Sequence, residues 1–241
     1  MQSKDITSWA HLAKLIEEHG DGQWIFRGVI NLDYELIPKV ARPHYLRDWR
    51  GEKAQREFDV TLEERALRMF QKAARPYLPY EPPTDLDWLA VAQHHGMPTR
   101  LLDWTESFLV AAYFAVEASG ITQTGERVDA VIYAVRDLDH VSADEAQAPF
   151  AKLKELKQFK PPHISPRIPA QRSVFTAHPD PRKAVDVPSL KRFTIPSDLC
   201  FELKWILDAC AINQGSLFPG LDGLAANILW RYKWNKLPPA V

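Results

Sequence analysis

"WIFRGV", residues 24–29, is a short apolar run with an arginine at its centre and a glycine directly after it. Read as a β-strand, it places Trp24, Phe26 and Gly28 on one face and Ile25, Arg27 and Val29 on the other. Arg27 then stands on an apolar face, where an unpaired guanidinium is costly. It requires a carboxylate, a row of carbonyls or the phosphate of a ligand.

Working outward, "TSWAHLAKLIEEHG" (7–20) spaces Trp9, Leu12, Leu15, Ile16 and His19 as one helical face, with Thr7 or Ser8 as N-cap and Gly20 as stop. Phe58, Leu62, Ala66, Met69, Phe70 and Ala73 predict a long amphipathic helix over 50–74, ending before the proline-rich "RPYLPYEPP". "TDLDWLAVAQHHG" (84–96) reads as a helix capped by Thr84 or Asp85 and closed by Gly96. "MPTRLLDWT" (97–105) reads as a strand, and "ESFLVAAYFAVEASG" (106–120) as a buried helix starting at Glu106 or Ser107. "RVDAVIYAVR" (127–136) is an alternating, β-branched strand. A helix is expected over 144–159, then a loop in "KPPHISPRIP". Strands follow in "RSVFTAHP" and "KRFTIP". Two helices close the chain, one from Ser197 and one opening at Pro219. With no internal repeat and no low-complexity linker, one α+β domain over 1–241 is the simplest account.

The 241 residues are 46% hydrophobic and 25% charged, an ordinary globular composition. The longest nearly uncharged apolar stretch, "FLVAAYFAV" (108–116), is far shorter than the roughly 20 residues of a membrane span. The N-terminal residues carry no basic head, apolar run and cleavage site, so a cytoplasmic location and no membrane partner are expected. Cys200 and Cys210 fit neither a disulfide framework nor a zinc spacing and read as buried small hydrophobes. The formal charge of −1 hides a basic segment: residues 152–192 hold ten Lys or Arg against Glu155, Asp180 and Asp186, a net of +7. Such a segment is a solvated loop or a face for nucleotide phosphates, nucleic acid or a protein partner.

The densest chemistry is "TRLLDWT", with Arg100, Asp103, Thr99 and Thr105 around Trp104. If the two strands are neighbours, Asp103 is a partner for Arg27. Otherwise Arg27 binds a phosphate, Thr105 sits beside the ligand, and Asp103 fixes Arg27 or Arg100. In "SPRIPAQRSVF", Arg167 and Gln171 precede a strand, where the Gln171 amide can read a base edge or order a loop. His94 and His95 point about 100° apart on a helix, and no i, i+4 ligand completes a site, so no metal is expected; His95 reads as a helix-end cap. There is no glycine-rich phosphate loop and no G-x-S-x-G turn.

Four blocks in order, "WIFRGV" (24–29), "LAVAQHHGMPTRLLDWTESFLVAAYFA" (89–115), "PRIPAQRSVFT" (166–176) and "CAINQGSLFPGLDGLAANI" (210–228), resemble the FRG domain, named for its Phe/Tyr-Arg-Gly motif. Ser173, after the Ala170-Gln171 pair, stands where that family often has glycine. The resemblance implies a bacterial or phage setting, with defence or toxin systems among its contexts. More distantly, the chain resembles ADP-ribosyltransferases of the arginine-serine-glutamate type. That resemblance implies a split β-sheet with flanking helices, NAD as ligand, Arg27 on its pyrophosphate or ribose, and Thr105 in the hydroxyl role. The catalytic glutamate of that type is missing: its position is Ser173, with Gln171 two residues before. A neutral side chain cannot stabilise an oxocarbenium-like state. Either Asp103 substitutes, or a nucleotide-like ligand is bound without transfer. The expected site is therefore Arg27, Asp103, Thr105 and Gln171 as the reacting group, with His95, Thr99, Arg100 and Arg167 binding the ligand. The alternative is a non-catalytic module for nucleic acid or a protein.

Overall fold

The 24–29 run is a strand in the computed structural model, which describes residues 2–45, 58–118, 128–162 and 165–235. Seven strands among these residues form one sheet: β1 (Gln2–Asp5), β2 (Ile25–Val29), β3 (Leu101–Thr105), β4 (Ala130–Val135), β5 (Lys157–Phe159), β6 (Ser173–Ala177) and β7 (Lys191–Ile195). Their spatial order is β1-β7-β4-β2-β3-β6-β5, with β1 parallel to β7 and every other pair antiparallel. The helices are α1 (Trp9–Glu18), α2 (Val60–Ala74), α3 (Asp85–His94), α4 (Phe108–Val116), α5 (Ala143–Gln147), α6 (Pro149–Lys152), α7 (Arg167–Ala170), α8 (Ser197–Ala209), α9 (Gln214–Leu217) and α10 (Leu221–Lys233). The result is a single domain of mixed α and β structure. No helix among the described residues is long and apolar enough to cross a membrane.

The alternation read from "WIFRGV" holds. Phe26 joins a core cluster with α1, α4 and α8, while Ile25 and Val29 pack on the other face with Leu102, Trp104 and Val131. Gly28 faces α4 so closely that a Cβ there would lie 1.9 Å from the Ala111 carbonyl oxygen and 2.5 Å from the Ala115 nitrogen. The glycine is thus required for close approach. The small residues Ala111 and Ala115 on α4 are the complement. That helix is apolar on every side and is buried accordingly, starting from Ser107, whose hydroxyl accepts from the Val110 amide. The six residues of β4 are all buried, because helices cover one face and loop residues such as Leu36, Val185 and Leu190 the other. Its "AVIYAV" is a continuous apolar run and not the alternating strand expected.

Other expectations are corrected. No single helix spans 144–159. A capping box between Ser142 and Glu145 starts α5, Pro149 lacks the amide to continue it and opens α6, and Lys157–Phe159 extends to pair with β6 at the sheet edge. The expected loop "KPPHISPRIP" runs into α7 at Arg167, while His163 and Ile164 lie outside the described residues. The predicted 50–74 helix is seen as Val60–Ala74, capped by Asp59, with residues 50–57 outside the described ones. β1 was not legible, and α9 occupies part of what reads as the end of α8. The last helix begins at Leu221 after Gly220, whose φ of 134° suits glycine, so Pro219 precedes the helix. Cys200 is buried as expected, but Cys210 is exposed.

We expect Gly28→Ala to lower the unfolding free energy by about 3 kcal/mol or more, because the clash is with backbone atoms that cannot rotate away. Urea denaturation checks this; wild-type stability in the variant would mean that α4 can stand off from β2 at little cost.

Candidate anion-binding cleft

Neighbouring strands in this sheet are joined over three to five registered residues, except β2 and β3, which meet at one, Phe26 opposite Thr105. Beyond that pair they part. Arg27 occupies the opening: its Nη1 donates to the Asp103 backbone carbonyl and lies 3.7 Å from Asp103 Oδ2. The guanidinium thereby satisfies a carbonyl that a paired strand amide would otherwise serve. Its side chain is 17% exposed, and that of Asp103 is 52% exposed. Burial pulls Arg27 below the usual arginine range and Arg42 adds to this, while the Asp103 charge opposes it. The question posed by the sequence thus has both answers: Arg27 meets a carbonyl and a carboxylate, and part of it still faces solvent.

The opening is the floor of a cleft of about 370 Å3, lined among others by Gly28, Lys39, Gln93, His94, Thr105 and Arg167. Gln93, at the end of α3, uses its amide twice: Nε2 donates to Asp103 Oδ1 at 2.8 Å, and Oε1 accepts from the Thr99 hydroxyl. Asp103 is thereby held between Gln93 and Arg27. Arg167 lies over the Phe218 ring at 5.0 Å and, like Lys39, has no carboxylate within ion-pair distance among the described residues. His94 accepts or donates at 3.0 Å to the Ser165 hydroxyl, and burial, then the charge of Arg167, holds it below the usual imidazole range. Three cationic side chains therefore line the cleft against one carboxylate, Asp103. A cavity of about 710 Å3 adjoins it and shares Arg27 and Gly28.

Of the expected site residues, Arg27, Asp103, Thr105, Gln171 and Arg167 line this cleft together. Thr105 and Gln171 also hold the wall: the Thr105 hydroxyl donates to the Gln171 carbonyl at 2.7 Å, and Gln171 Nε2 donates to the Leu217 carbonyl at 2.9 Å. Thr99 is fully buried behind Gln93. His95 caps α3 and is exposed outside the cleft, the place expected of it going to His94. Arg100 is elsewhere altogether. It is 1% exposed and paired with Glu63 on α2, with Nη2 2.8 Å and Nε 3.1 Å from Oε2, and it cannot reach a cleft ligand. Lys39, Gln93, His94 and Phe218 were missed as site residues; Gln93, an amide directly after the apolar run Trp88–Ala92, carried a signal. Five of the ten basic residues of 152–192 pair with a carboxylate: Lys152, Lys157, Lys160, Arg172 and Arg182. Among the described residues, no group of three or more His, Cys, Asp or Glu could hold a metal ion.

The strand bearing Arg27 and Gly28, its contact with α4 and the cleft edge from Gln93 to Thr105 all fall inside one matched segment. Residues 22–123 match the FRG domain. The FRG match covers the first two of the four sequence blocks; Arg167, Gln171 and Phe218 come to the cleft from beyond it. No curated protein and no solved structure matches the chain.

Two buried groups outside the cleft, the Arg100–Glu63 pair within the matched segment and His178, give expectations. Burial pushes the Glu63 carboxyl up and Arg100 opposes this, so removing one partner strands a charge: Glu63→Gln or Arg100→Met should cost about 3–5 kcal/mol in denaturant unfolding, whereas Arg167→Ala should leave stability unchanged. His178, whose Nε2 lies 3.1 Å from the Thr176 hydroxyl, is held by burial at about 4, against 6.5 unfolded. The unfolded chain binds the extra proton first, so this contribution is complete above pH 6.5 and is lost as pH falls towards 4. His178→Gln should therefore show a shallower loss of Tm over that window than the wild type.

Proposed function

We propose that the cleft binds a nucleotide or dinucleotide through its phosphates. The convergence of Arg27, Lys39 and Arg167 on a concavity with Asp103 as its one lining carboxylate carries this reading. Guanidinium groups match phosphate oxygens bidentately, and an ammonium adds a point charge. The cleft volume is within the range of small-molecule sites. The adjoining cavity, meeting the cleft at Arg27 and Gly28, favours a dinucleotide, whose two halves can lie on either side of a pyrophosphate at Arg27. The parting of β2 from β3 supports the likeness to a split sheet.

Asp103 favours a second step. Its half-exposed carboxylate, oriented by Gln93, is the group available for an oxocarbenium-like ribose. In that step the glycosidic bond of NAD breaks and its electron pair leaves with nicotinamide. An acceptor heteroatom then bonds to the ribose carbon and gives up its proton to Asp103 or solvent. An effector role in conflict between bacteria and phages would follow from such transfer to a cellular macromolecule.

Calorimetry and thermal shift with NAD, ADP-ribose, ADP and inorganic pyrophosphate test the binding. We expect saturable stabilisation, weakened about 10-fold or more by Arg167→Ala with no change in ligand-free Tm. Absence of a response to every probe would overturn the proposal. For the second step, nicotinamide release from NAD should disappear in Asp103→Asn while dinucleotide binding persists.

A further inference from the structure

Outside the cleft, the outstanding feature is α10. Its inner face is accounted for: Gly223 lies so close to α9 that a Cβ would meet the Phe218 carbonyl oxygen at 2.0 Å, Trp230 packs on Trp205 of α8 at 4.2 Å, and Arg231 pairs with Asp208 at 3.0 Å. Its outer face is apolar. Leu221, Leu224, Ala225, Ile228, Leu229 and Tyr232 follow the i, i+3, i+4, i+7, i+8, i+11 spacing of a core-facing stripe, yet all are exposed, Leu221 by 83% and Tyr232 by 67%. Among the described residues of α10, Gly223 alone is buried. A soluble helix rarely leaves a whole apolar stripe to water, and a continuous patch of this kind marks an interaction surface.

We propose that this stripe pairs with the same stripe of a second copy of the chain, the two α10 helices antiparallel about a two-fold axis. Self-complementarity carries the choice of partner. With the axis between Ala226 and Asn227, Leu221 meets Tyr232 of the other copy, Leu224 meets Leu229, and the small Ala225 meets the β-branched Ile228. Each contact occurs twice, as an isologous interface requires. Charge agrees. Asp222 and Lys233 flank the same edge of the stripe at opposite ends of the helix, so antiparallel pairing sets each Asp222 beside the other copy's Lys233, whereas in a parallel pair those edges lie on opposite sides of the contact and neither charge meets its counterpart. The opposed helix dipoles are favourable in the same arrangement. Arg231 is already committed to Asp208 and stays out of the contact.

Sedimentation equilibrium of the full chain at roughly 100 μM, where a micromolar pair is saturated, should give twice the 27.6 kDa of one chain. Ile228→Glu should give a monomer with unchanged circular dichroism and Tm. Asp222→Lys and Lys233→Asp should each weaken association about 10-fold at low salt, and an equimolar mixture of the two should restore it, because each copy then supplies the charge the other lacks. A monomeric wild type, a dimer indifferent to Ile228→Glu, or a mixture no tighter than either variant alone would overturn the proposal.

Discussion

The contact between Gly28 and α4 sets the geometry on which the other elements depend. With the Ala111 carbonyl where a Cβ would stand, β2 and α4 are nearer than any side chain would permit. The helix is tied to β3 by two residues, Glu106 and Ser107, and β3 to β2 by the Phe26–Thr105 pair, so strand, strand and helix form a closed triangle. Phe108, at the start of α4, stacks towards both Phe26 and Phe193 and carries the same contact across the sheet to β7. A bulkier residue at 28 would move all of these and the cleft that opens beside them.

Two arginines in this triangle's neighbourhood show how partners decide role. Arg100 has both carboxylate oxygens of Glu63, the carbonyls of His178 and Pro179 and the face of Phe150, which together satisfy its charge in a dry setting. Arg27 has one carbonyl and a longer approach to a carboxylate that is itself half in solvent. The first is part of the core; the second retains unused donors where a ligand can reach them. The same distinction runs through the basic stretch of 152–192, where Lys152, Lys157, Lys160 and Arg172 face carboxylates from Asp144, Glu145 and Glu106 while Arg167 rests on an aromatic ring.

The sequence made β2, α3 and α4 legible because each carried its own punctuation: a strand alternation ending in glycine, Thr84 and Ser107 as caps, and uninterrupted apolar runs. It did not reveal α5, α6 and β5, elements of three to five residues whose state is set by Pro149 and by an edge of β6 far along the chain. Arg27 and Arg100 both read as arginines on apolar strand faces and look alike in the sequence. Only the position of Glu63, 37 residues before Arg100, separates them. His94 and His95 differ by the rotation of α3, which is fixed by how Leu86, Leu89 and Ala90 bury, a fact of packing rather than of spacing. Lys39 opens a three-residue 3-10 turn, too short for any periodicity to place it.

The single registered pair between β2 and β3 gives the sheet a mechanical character. β1-β7-β4-β2 and β3-β6-β5 are two plates, each backed on the helical side by its own apolar cluster, and they share the third cluster on the opposite side. Phe26 and Thr105 are the pivot, the shared cluster is the spring beneath it, and Arg27 reaching to Asp103 is a latch across the gap. Arg27 lies on β2 and Arg167 precedes β6, so the proposed polyanion would span that gap as a cross-brace between the two plates.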